Sequence, residues 1–163
     1  MTENTIYVTT PIYYVNDKPH VGHAYTTIAA DVVARYWRRK LGDARVFFQT
    51  GTDEHGQKIA DAAKAAGKEP RTFVDGLAPR FQELWQRLNI STDAFIRTTD
   101  AKHERYAQQF FTKLYEQDDI YKDIYEGLYC VGCEEYKTPT DLVDGRCPLH
   151  PNREIQQQKE ENY

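Results

Sequence analysis

Four residues, His20-Val21-Gly22-His23, sit between an apolar, strand-like run (Ile6 to Thr9, then residues 11–15) and a helix-like run over residues 24–41. A second apolar run follows at residues 44–50, so the chain passes from extended backbone to helix and back, which reads as a β-α-β unit. At its first turn the glycine has no Cβ, so a flat base can pack on the backbone, and free N–H groups at the helix start attract phosphate. Two imidazoles flanking that glycine suit the grip on ATP. Such a string also arises by chance, and a histidine beside a strand commonly serves as a structural hydrogen-bonding group. The context favours the nucleotide: Pro11 and Pro19 fix φ in the turn and Asn16-Asp17 supply turn chemistry, giving a stiff loop that holds both rings.

Along the next segment, Ala24, Ile28, Ala29, Val32, Val33, Tyr36 and Trp37 recur at helical spacing, with Arg35, Arg38, Arg39 and Lys40 gathered toward the negative pole. The periodicity predicts an amphipathic helix closed by Gly42, then a buried strand at residues 44–50. Gly51-Thr52-Asp53-Glu54-His55-Gly56 follows at the carboxyl end of that strand, where open parallel sheets place their ligands. Helices are expected over about residues 57–66, on the stripe Phe73, Val74, Leu77, Phe81, Leu84, Trp85 and Leu88, and on the stripe Tyr106, Phe110, Phe111, Leu114 and Tyr115 after the cap-like Asp100. Residues 94–97 form a short strand between them. The aromatic stripes read as core rather than as a cofactor box.

With 40% hydrophobic and 13% aromatic residues in 163, the chain fills a real core, as one domain or one domain with an appendage. A net charge of -4 with mixed signs excludes a whole-chain basic field, so a nucleic-acid partner needs a local patch and an anionic membrane is not indicated. No apolar run approaches the roughly 20 residues of a membrane span, and Met1-Thr2-Glu3-Asn4 lacks the composition of a signal peptide; the expectation is a cytoplasmic protein.

The pattern changes near Glu116, and residues 120–125 alternate as a strand. Cys130-x2-Cys133 and Cys147-x2-His150, separated by thirteen residues, fit a tetrahedral zinc site of three thiolates and one imidazole. Asp144-Gly145 is available as the hairpin turn between the pairs. Unrelated buried thiols, or a Cys130–Cys133 disulfide, are the alternatives, and neither accounts for four ligands in ordered pairs. With all four positions taken by protein, the metal is structural.

Together these segments resemble the amino-terminal part of the bacterial methionyl-tRNA synthetases, a family of class I aminoacyl-tRNA ligases. The resemblance covers essentially the whole chain. It is carried by Val8-Thr9-Thr10-Pro11-Ile12-Tyr13-Tyr14-Val15-Asn16, by the signature His20-Val21-Gly22-His23 with Val21 for the commoner Ile, by Thr50-Gly51-Thr52-Asp53-Glu54-His55-Gly56, and by the knuckle from Cys130 to His150. It implies an α/β fold: the first half of a Rossmann-like nucleotide-binding domain over residues 1–115, then the start of a connective domain over 116–163 with a zinc knuckle at 130–150.

The resemblance further implies ATP-dependent activation of methionine to methionyl-adenylate and transfer to tRNA(Met), with Mg2+ accompanying ATP. His20 and His23 are then catalytic residues on the ATP phosphates, Gly22 underlies the adenine, and Ile12, Tyr14 and Asp53 hold methionine. From the residues alone Asp53 reads equally as a helix N-cap, Tyr13 and Tyr14 both read as core, and the role of His55 stays open. The family's second signature, Lys-Met-Ser-Lys-Ser, does not occur in these 163 residues. The expectation is therefore a fragment, weak or inactive alone, with an unpaired sheet edge. Two other readings stand beside it: another nucleotidyl transferase with the same histidine signature, and a non-enzymatic zinc-containing binding module.

Overall fold

The computed structural model describes residues 4–163. Residues 1–3, part of the amino-terminal segment read above for a leader, lie outside the described residues. The chain divides into two compact units, with the division between Gln108 and Gln109.

The first unit opens with β1 (Ile6–Thr9), β2 (Tyr13–Tyr14) and helix α1 (Val21–Leu41), then a short 3-10 turn and β3 (Val46–Asp53). Helices α2 (Gln57–Ala65) and α3 (Pro70–Arg87) and strand β4 (Ala94–Arg97) follow, and α4 (Ala101–Glu116) runs across the division. All pairings in this sheet are parallel, with β3 central: β1 and then β2 lie along one side, in register Ile6↔Val46 and Tyr14↔Asp53, and β4 along the other, in register Gln49↔Ala94. The β-α-β expectation holds. Gly42 ends α1 at φ 91° with its N–H donated to the Arg38 carbonyl at 2.8 Å, because a residue with a Cβ would be strained there.

Two apolar clusters hold this unit together. Ala34 of α1 packs with Val46 and Phe48, joined by Ile6, Val8, Ala30 and Trp37. Tyr13 and Val15 pack with Ile59, Val74, Phe81 and Trp85, so α2 and α3 cover the β2 end of the sheet. The stripe predicted on α3 is that core, apart from Leu88, which is exposed.

Three expectations are corrected. The apolar stripe of α1 meets the core only in part: Ala24 and Trp37 pack against the two clusters, but the buried residues of the helix are Thr27, Asp31 and Ala34, whereas Ile28, Val32, Val33 and Tyr36 are exposed. The reason lies in polar anchors far along the chain. Asp31 accepts from the Ser91 N–H at 2.7 Å, the Ser91 hydroxyl at 2.6 Å and Arg35 Nε at 2.6 Å, while Arg38 donates to Ser91 and to Asp93. Burial pushes the Asp31 carboxyl up, but the Ser91 and Arg35 hydrogen bonds outweigh it and hold it below the usual carboxylate range. Second, β3 is buried on one face only through its first half, since Phe47 is exposed and meets Tyr7 on the opposite face. Third, α4 has no buried residue, and Tyr106, Phe110, Phe111 and Tyr115 are exposed rather than core.

In the second unit β5 (Asp123–Cys130) is central, with antiparallel β6 (Glu135–Lys137) on one side and β7 (Gln156–Asn162) on the other. Tyr125, Tyr129 and Tyr136 pack edge-on over one face, with Tyr136–Tyr125 and Tyr136–Tyr129 centroids 4.5 and 5.1 Å apart. Asp144 and Gly145 both take positive φ, 51° and 74°, and Val143 and Arg146 exchange both backbone hydrogen bonds, so the predicted two-residue turn is present.

Candidate functional site

The loop between β2 and α1 ends in a helix cap made of imidazoles. His20 is the N-cap of α1, and its Nδ1 accepts from the Gly22 N–H at 3.1 Å, while the His20 N–H donates to His23 Nδ1 at 3.1 Å. The two rings stack with centroids 3.8 Å apart. Because each Nδ1 accepts, the proton of each neutral ring resides on Nε2, and the pair presents two Nε2–H donors. Burial, and then the neighbouring His20, push the His23 imidazole below its ordinary value, so His23 is neutral at physiological pH. A Cβ at residue 22 would lie 2.9 Å from His20 Cε1, so glycine is what lets the His20 ring fold back over the helix start. The helix-start amides are thus not all free: one serves the His20 ring.

Tyr13 and Tyr14, which both read as core from the residues alone, separate here. Tyr13 is buried, its ring edge-on to His23 at 4.8 Å and its hydroxyl 2.9 Å from Thr27 Oγ1. Tyr14 is 39% exposed and Ile12 44%, so neither belongs to the core. Tyr14 lies opposite Asp53 in the β2–β3 register. The Lys58 ammonium stands 5.8 Å from the Tyr14 ring centroid, a neighbour that sequence reading did not single out.

Asp53 is the last residue of β3 and not a helix cap, since the N-cap of α2 is Gly56 at φ 102°. The Asp53 carboxylate, on a residue of intermediate burial, receives the His55 N–H at a long 3.5 Å. His55 is exposed, with Nδ1 3.1 Å from Thr98 Oγ1. Gly51 is required because β3 approaches β4 closely: a Cβ there would be 2.2 Å from the Ile96 carbonyl oxygen. Glu54, passed over in the sequence, is buried between Asp53 and His55 and ion-paired to Arg97 at 2.8 Å. An acid at a strand end and an arginine closing the neighbouring short strand were the available signal.

In the second unit Cys130, Cys133, Cys147 and His150 bring one ligand atom each to within 4.8 Å of one another. Cys133 Sγ lies 3.5 Å from Cys147 Sγ and 3.3 Å from His150 Nδ1, and Cys130 Sγ lies 3.8 Å from that nitrogen. The edges of a tetrahedron with metal–sulfur bonds of about 2.3 Å are roughly 3.8 Å, so the group could hold a metal ion. The cysteines are free thiols, not a disulfide. A Cβ at Gly132 would stand 2.5 Å from the His150 ring, so glycine admits that imidazole.

The family model of class I tRNA synthetases (M) matches residues 6–163. The chain belongs to that family. Among curated relatives, this class I synthetase chain is 52% identical over 161 residues to a methionine-tRNA ligase of Caldanaerobacter subterraneus, covering 99% of the chain and 25% of the relative. It is 49% identical over 162 residues to a methionine-tRNA ligase of Nostoc sp., covering 99% of the chain and 30% of the relative. The chain therefore spans between a quarter and a third of the length of these relatives. Among solved structures, it superposes on Mycobacterium tuberculosis methionyl-tRNA synthetase in complex with methionyl-adenylate with a TM-score of 0.86 at 42% identity, over 97% of this chain and 31% of that one. An Agrobacterium radiobacter LeuRS in a ternary complex with tRNA and LeuAMS, at 18% identity and a TM-score of 0.77, covering 99% of this chain and 21% of that one, shares the synthetase fold. The α/β fold expected from the sequence is the one observed.

Proposed function

We propose that this chain gathers the substrates of an enzyme that joins methionine to ATP, giving methionyl-adenylate and pyrophosphate, and then transfers the methionyl group to tRNA(Met). The observation that carries the reading is the meeting of Tyr14 and Asp53 at the carboxyl ends of adjacent parallel strands, with the imidazole cap reached through the loop that leaves β2. The methionine-tRNA ligase relatives and the methionyl-adenylate complex support the choice of substrates. In this reading Asp53 accepts the substrate ammonium, and Ile12 and Tyr14 flank its side chain. The methionine carboxylate attacks the α-phosphorus, forming the C(O)–O–P bond as the bond to pyrophosphate breaks. His20 and His23 donate through Nε2–H to phosphate oxygens that gain charge along this path, and Gly22 lies under the adenine. ATP brings Mg2+, whose charge shares that load.

The Cys130, Cys133, Cys147 and His150 set has the chemistry and spacing of a structural zinc centre, which would supply folding free energy to the unit rather than activate water. Residues 1–115 are assigned to the amino-terminal half of the Rossmann-type catalytic domain and 116–163 to the start of the connective domain. None of the described helices is long and apolar enough to cross a membrane, and a translation enzyme of this kind belongs in the cytoplasm. The test is to incubate the full-length protein with ATP and an equimolar mixture of the twenty amino acids and identify the adenylates by mass. Methionyl-adenylate alone is expected; another aminoacyl-adenylate, or none, refutes the reading.

A further inference from the structure

Glu54 is the most completely satisfied carboxylate among the described residues. Its side chain has no exposed surface. Oε1 accepts from Thr52 Oγ1 at 2.6 Å and Arg97 Nε at 2.8 Å, and Oε2 accepts from Thr99 Oγ1 at 2.5 Å and Arg97 Nη2 at 2.8 Å. Arg97 in turn donates to Asp75 at 2.6 Å; Arg71 binds Asp75 at 3.2 Å and the Thr99 carbonyl at 2.7 Å. The Glu54 N–H donates to Thr98 Oγ1 at 2.8 Å, the same hydroxyl that meets His55 Nδ1. One buried residue thus pins the end of β3 to the end of β4 and to α3 through both its backbone and its side chain.

A purely stabilising ion pair has no need of this position, since a buried pair often contributes no more than apolar residues of the same volume. The residues on either side are the informative ones. Asp53 has a single long hydrogen bond of its own at 3.5 Å, so little in its own side-chain contacts fixes its carboxylate. Arg97 pairs in register with Thr52, so the Arg97–Glu54 pair lies with Thr52 on one face of the strand end, while Asp53, one residue along, faces the other.

We infer that Glu54 is a positioning residue, which clamps the Thr52-Asp53-Glu54-His55 turn so that the Asp53 carboxylate is held aimed at the ammonium group of an amino-acid substrate. This deepens the function proposed above and rests on it. Glu54 touches no substrate; it acts through Asp53.

The test uses the full-length protein, methionine-dependent pyrophosphate exchange, and 4-(methylthio)butanoate, which is methionine without its amino group, as a competitive probe. In Glu54→Gln the KM for methionine rises about tenfold to a hundredfold, the scale of a small misplacement in a site. The KM for ATP and the inhibition constant of the probe stay within twofold. A merely structural role would weaken methionine and probe together. Thr99→Val, which keeps the ion pair and removes one hydrogen bond, shifts methionine alone by at least threefold, and it decides the matter if Glu54→Gln does not fold. Equal losses for methionine and probe, or an unchanged methionine KM in the folded variants, overturn the inference. A wild-type protein silent toward methionine overturns the underlying function instead, and is recognised before any variant is made.

Discussion

The His20 ring has two nitrogens: Nδ1 closes the helix start, and Nε2 is the one that would meet phosphate in the function proposed above. They separate in His20→Asn, because asparagine is among the best N-caps yet reaches no further than Nδ1. Its stability is expected within about 0.5 kcal/mol of wild type, with adenylation slowed about 10²–10³-fold; chemical denaturation and single-turnover adenylation of the full-length protein check the two halves. The pH dependence draws on His23 and on carboxylates held below their ordinary range, of which Glu54 and Asp31 are the buried ones. The His23 imidazole lies below its ordinary 6.5, so the folded state binds fewer protons than the unfolded one and stability falls as pH drops below 6.5. Burial raises Glu54, but the bonds from Arg97, Thr52 and Thr99 bring it below its ordinary 4.5, and Asp31 is likewise lowered, so both contribute stability that is lost as pH falls further. Denaturation midpoints between pH 7 and 3.5 should decline in these two stages, and His23→Gln should flatten the upper one. The roles of Tyr13 and Tyr14 were not legible because neighbouring strand residues point to opposite faces, and only the Thr27 hydroxyl and the Phe81 and Trp85 rings reveal which is inside.

At the scale of elements, periodicity located helices and strands well and their facing poorly. Helix α1 was legible as a helix, but only Ala24 and Trp37 of the apolar stripe pack on the core, because Asp31 is buried by a partner sixty residues away, Ser91. That contact leaves no periodic trace. The knuckle was legible because metal chemistry fixes spacing: two pairs with two-residue gaps and a turn of two positive-φ residues between them. Gly132→Ala forces a Cβ against the His150 ring and is expected to lower zinc content per protein to well below half of wild type, measured by elemental analysis. Chelation should raise hydrogen exchange in β5 and β6 and the 130–150 loops while leaving β1, β3 and β4 protected, since that sheet has its own apolar clusters. Uniform exchange throughout the chain would contradict this.

For the whole molecule, the parallel sheet has β1 and β4 at its edges, and Tyr7, Phe47, Tyr106 and Phe110 are exposed to between 47% and 65%. Parallel sheets are ordinarily covered on both faces, and unpaired edges recruit other chains. The 163-residue chain by itself should therefore self-associate, seen as a scattering mass that grows with concentration; a stable monomer up to high concentration would count against this. An open edge was expected from the sequence, yet the α4 aromatics were placed in a core, since periodicity cannot tell a covered stripe from an open one. If the imidazole cap and Asp53 form a methionine-activating site, pyrophosphate exchange should reveal it. In the full-length protein, exchange into ATP should require methionine and no other amino acid, and fall at least a hundredfold in Asp53→Asn. Exchange independent of methionine, or unchanged in Asp53→Asn, would exclude such a site.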